Sequence, residues 1–169
     1  MNSVYKKLFL MLGVIALLYS TVKVAWSNEK LIPLNEYIAK QTDPRANQYV
    51  YTRCAGHFLY LAEIFRDTRD KQQKISEKLY GDSVIFTNLA SLILWTKNKD
   101  KSLSNKYIEE KVYQFRDIYD KLSNENYLKR GEYISEFMKS DLITCNIQRK
   151  TIPKEYVDLL SKITGKDLK

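Results

Sequence analysis

Between Asp43 and Phe65, the apolar residues Tyr51, Cys54, Phe58, Leu61 and Phe65 fall at alternating spacings of three and four. A strand turns its side chains over at every second residue, whereas a helix brings positions three and four apart onto one face. This spacing therefore predicts a helix with a face to bury. Asp43 can cap its start, and Pro44 suits a first helical position because the missing N–H has no helical partner there.

The same spacing recurs along the chain. It appears at Ile75, Leu79, Phe86, Leu89, Ala90 and Ile93, then at Ile108, Val112, Phe115, Tyr119 and Leu122, and again at Ile134, Phe137, Met138, Leu142 and Cys145. Pro33 can open a short helix through Leu34, Tyr37 and Ile38. Pro153 can open a last one through Tyr156, Leu160 and Ile163, with Gly165 as its stop. No segment alternates with period two for long enough to make a strand. The expected fold is all-α, a single antiparallel bundle of five or six amphipathic helices.

Interruptions in the pattern set the expected boundaries. Gly81-Asp82-Ser83 predicts two helices meeting, or one that kinks. Leu89–Trp95 is apolar on almost every side, which predicts the most enclosed helix. The Lys, Asn, Asp and Ser run after Trp95 reads as a solvated loop, with Ser104 capping the next helix. Ser123-Asn124-Glu125-Asn126 reads as a turn.

Lys6-Lys7, the apolar run Leu8–Tyr19 and the small residues Ala25 and Ser27 follow the order of a secretory signal peptide. Residues 1–27 are expected to be cleaved after Ser27, leaving 28–169 as one exported domain, periplasmic or secreted. The alternative is an uncleaved anchor over residues 8–26, which would bring membrane contact. Removing 1–27 takes away Lys6, Lys7 and Lys23 and no acidic residue, so 25 basic residues face 20 acidic ones, a net charge of about +5. Acidic residues are interspersed with most of the basic groups. That charge, with export, speaks against nucleic acid as a partner.

Two cysteines in an exported chain point to a disulfide between Cys54 and Cys145, closing a loop of about 90 residues. Cys54 and His57 lie three apart, as two zinc ligands on one helix face would, yet no Asp, Glu or His cluster is placed to complete a site. Neither metal nor cofactor is implied. Gly56 weakens a helix by about 1 kcal/mol relative to alanine. It is expected to admit a neighbouring helix, with a ligand notch as the second reading. Arg53, His57, Tyr60 and Glu63 lie on or beside one flank and could converge as an acid–base group; the plainer expectation is a solvated flank with a partly buried or interfacial histidine. No nucleophile, base and orienting group fall at a catalytic spacing. The residues point to a non-enzymatic module that binds a protein partner in the cell envelope. The alternatives are a small-ligand or metal-binding protein centred on Cys54, Gly56 and His57, and a single-pass membrane accessory subunit.

Overall fold

The computed structural model describes residues 31–42, 46–66 and 70–165. The signal-peptide expectation for residues 1–27 and the Asp43-Pro44 cap lie outside them. Among the described residues there are six α-helices and no strand: α1 (Leu34–Lys40), α2 (Ala46–Arg66), α3 (Asp70–Asn98), α4 (Lys101–Arg130), α5 (Glu136–Thr151) and α6 (Lys154–Thr164).

α2 is the central helix. Every residue from Thr52 to Ala62 is buried, and α2 packs against α1, α3, α4 and α5. The three-four seam of its sequence is real, but the helix is covered well beyond one seam. The expectation that Leu89–Trp95 is the most enclosed stretch is therefore corrected: Leu92 and Trp95 are 39% and 40% exposed. An all-apolar run does not need cover on every side, because isolated exposed apolar residues are ordinary on protein surfaces.

Two expected helix ends do not occur, and a third interruption is shorter than expected. α3 runs through Gly81-Asp82-Ser83 without ending. The two polar side chains serve neighbouring helices instead of capping a new one. The Ser83 hydroxyl donates to the Ala55 carbonyl at 2.9 Å, and Asp82 accepts from Arg149 Nε at 2.6 Å. α4 likewise continues through Ser123–Asn126 to Arg130, with Ser123 buried. The solvated loop after Trp95 shrinks to Lys99 and Asp100, and the cap is Asp100 rather than Ser104. The Asp100 carboxylate accepts from Leu103 N at 2.9 Å, satisfying a first-turn N–H that has no helical partner.

Three end signals read from the sequence hold, at Pro33, Pro153 and Gly165; two further ends, at Ser135 and Gly131, were not anticipated. Pro33 and Pro153 stand at the starts of α1 and α6, and Gly165 follows α6 at φ 66°. Ser135 caps α5 by accepting from Met138 N, and Gly131, at φ 73°, closes α4. A left-handed backbone there suits glycine, which has no Cβ to crowd the carbonyl. One buried cluster gathers Leu34, Val50, Cys54, Phe58, Phe86, Ile108, Val112 and Cys145 from five helices. A smaller one joins Tyr60, Leu61, Tyr119 and Met138.

Candidate functional site

Among the described residues, the most concentrated polar chemistry lies inside the protein. Arg53 of α2 and Asp141 of α5 are each 0% exposed and form an ion pair through Nη2 and Oδ2. Arg53 Nε donates to the Tyr119 hydroxyl at 3.1 Å, and Nη1 donates to the Tyr49 hydroxyl at 3.3 Å. The Tyr119 hydroxyl in turn donates to Asp141 Oδ2. Asp141 Oδ1 accepts the backbone N–H of Leu34 at 2.8 Å. Phe137 lies under the guanidinium, 5.2 Å from ring centroid to Arg53 Cζ. A buried ion pair persists only where such further bonds satisfy its remaining donors and lone pairs.

The electrostatics follow from this enclosure. Burial alone would pull Arg53 down, but Tyr119, Asp141 and Tyr49 outweigh it and hold the guanidinium more firmly charged than usual. Burial pushes the Tyr119 phenol well up, and Asp141 adds to that while Arg53 opposes it. His57 stacks on Tyr119, with centroids 4.1 Å apart and planes 12° from parallel. Neither of its ring nitrogens has a hydrogen-bond partner. Burial first, and the Arg53 charge second, lower its pKa to about 3, so the ring is neutral at ordinary pH.

Arg53, His57 and Tyr60 are therefore not on a solvated flank, and His57 is fully buried rather than partly so. Tyr60 is 3% exposed, and burial raises its phenol. Glu63, at the rim, accepts from Arg116 Nη1 of α4 at 3.3 Å. That pair is half-exposed, where such bridges contribute little. Gly56 marks the close approach of α2 and α4: a Cβ there would sit 2.5 Å from Phe115 Cβ and 2.8 Å from the Val112 carbonyl oxygen. The notch is filled by α4.

Cys54 and Cys145 meet as a disulfide with Cα atoms 5.4 Å apart, so Cys54 offers no thiolate to a metal. Among the described residues no three His, Cys, Asp or Glu side chains converge as metal ligands would. An acid–base group must reach a proton on its substrate. Arg53, Asp141, Tyr119 and His57 are closed off from solvent and instead link α1, α2, α4 and α5.

Asp141, Tyr119 and Tyr49 were not legible as members of this cluster from the sequence. A signal did exist for the ion pair. Arg53 continues the three-four spacing of Val50 and His57, and Asp141 sits between Met138 and Cys145 at the same spacing. A charge at a seam position is a candidate for burial with a partner. Which charge pairs with which, 88 residues apart, needs the fold.

Compared with protein-family models, with curated proteins and with solved structures, the chain matches none.

Proposed function

We propose that the chain is an exported, non-enzymatic helical module whose α5 surface docks a protein partner, its helices arranged as an antiparallel bundle. The observation that carries this reading is the mixed polarity of α5. That helix buries Asp141 and Thr144 beside Met138 and Cys145, and leaves Ile143 and Ile147 61% and 55% exposed. The two isoleucines lie one turn apart, which places them on the same side of the helix. A buried charge combined with exposed isoleucines on one helix is more informative than scattered surface apolar residues. Arg53, Tyr119 and Asp141 are engaged with one another inside, where they fix α5 against α2.

Export rests on the order of charges and apolar residues in 1–27. The supporting result is an intact mass of the exported protein beginning near Asn28 and carrying no alkyl groups after alkylation without reduction. A full-length mass would favour the anchored alternative. The docking reading is tested by a photo-crosslinking side chain at Ile143, with exposed Lys106 on α4 as the control position. A discrete adduct at 143 and none at 106, lost on Ile147→Asp while the helical circular dichroism signal is unchanged, supports it. Equal labelling at both positions would sink it.

A further inference from the structure

α1 has little of its own to keep it helical. It is seven residues long and has no side-chain cap. Helices that short are not stable in water without tertiary contacts. Leu34 is 0% exposed and belongs to the same buried cluster as Cys54 and Cys145, with Tyr37 and Ile38 packed at its edge. The Leu34 N–H bonds Asp141 Oδ1, Asn35 Oδ1 meets the Ser140 hydroxyl at 3.4 Å, and the Tyr37 ring lies 4.4 Å from that of Tyr49, which holds Arg53. α1 thus sits across the place where α2 and α5 are tied both by an ion pair and by a disulfide. Its docked position satisfies one oxygen of the buried carboxylate.

We infer that α1 is a latch over the Cys54–Cys145 disulfide, and that its undocking, without unfolding of the rest, is the step that opens this bond to thiols. Both cysteines are 0% exposed, so an attacking thiolate has no route to them with every helix seated, and α1 is the shortest helix in the cluster around them. Local openings of this kind occur well below the free energy of global unfolding when few buried contacts hold the element. With α1 lifted, the thiolate of a dithiol attacks one cysteine sulfur and the S–S bond breaks as a mixed disulfide forms. The second thiolate of the reagent then displaces the protein. The protein gains two electrons and two protons as two thiols, and the dithiol becomes a cyclic disulfide.

The test uses the full exported chain and dithiothreitol, with timed alkylation and mass analysis to follow reduction. In the wild type, the logarithm of the reduction rate should change with urea by less than half the slope that global unfolding shows, because lifting α1 exposes little surface. Leu34→Ala should speed reduction at least tenfold. Val157→Ala, in the separate cluster of α6 with Ile85 and Leu160, should not. A wild-type slope equal to that of global unfolding overturns the latch, as does an acceleration by Val157→Ala matching that of Leu34→Ala. If Leu34→Ala does not fold, the wild-type slope alone decides.

Discussion

Asp141 answers three donors at once: Arg53, the Tyr119 hydroxyl and the Leu34 N–H. Asp141→Asn keeps the shape and removes the charge, leaving a buried guanidinium without its counter-ion. Breaking one side of such a pair costs about 3–5 kcal/mol. The urea midpoint of Asp141→Asn should fall accordingly, and Arg53→Met with Asp141→Leu should recover part of the loss. A double variant less stable than either single one would show that the pair's shape, not its charge, is what matters. His57 gives a pH dependence of definite sign. Its pKa is about 3 in the folded protein against an ordinary 6.5. Between those values the unfolded chain binds a proton that the folded one refuses. Stability should be full above pH 6.5 and fall on the order of 1 kcal/mol per pH unit toward pH 3. His57→Phe removes the titrating group without breaking a hydrogen bond, so it should flatten that acid limb in urea titrations at pH 4 to 7. An unchanged acid limb would assign it to the carboxylates instead.

Two glycines separate space from backbone geometry at the scale of elements. At Gly56, alanine gains helix propensity but drives a methyl into Phe115 and the Val112 carbonyl of α4, so Gly56→Ala should destabilise by about 1–3 kcal/mol. At Gly131 nothing lies within 4 Å of a new Cβ, and only the φ of 73° resists it. Gly131→Ala should cost about 1 kcal/mol, with no change in helix packing. Urea titration separates the two; equal losses would mean that α4 gives way easily at Gly56. The same elements show what the sequence could reveal. The seams of α2, α4 and α5 were legible because burial repeats at the helical period. The helix break read at Gly81–Ser83 misled because serine and aspartate have the same composition whether they cap a helix or bond across to another. Asp82 and Ser83 do the latter, with Arg149 and Ala55. Asp100 was passed over as the α4 cap because Ser104, four residues on, is an equally good capping type.

Across the whole molecule, α2 and α5 are tied at two adjacent points: Arg53 to Asp141, and Cys54 to Cys145 one turn further along α5. The covalent tie acts through the unfolded chain, which it shortens across a sequence separation of 91. The chain-entropy estimate for a loop of that size is about 4–5 kcal/mol. Cys54→Ala with Cys145→Ala should lose close to that amount. The ionic tie acts through the folded state alone, because water screens the same pair once the chain opens. If each tie acted only in its own way, their losses would add. They share one helix pair, however, and a carboxylate left beside a loosened α5 can reach water. The loss from Asp141→Asn should therefore shrink once the cysteines are gone. Urea titrations of the wild type, the cysteine pair variant, Asp141→Asn and the triple variant give the coupling directly. A coupling of zero would mean that the register of α5 is set by the rest of its buried face. A coupling of 1 kcal/mol or more would mean that the two ties hold α5 as a unit, presenting Ile143 and Ile147 in a fixed position.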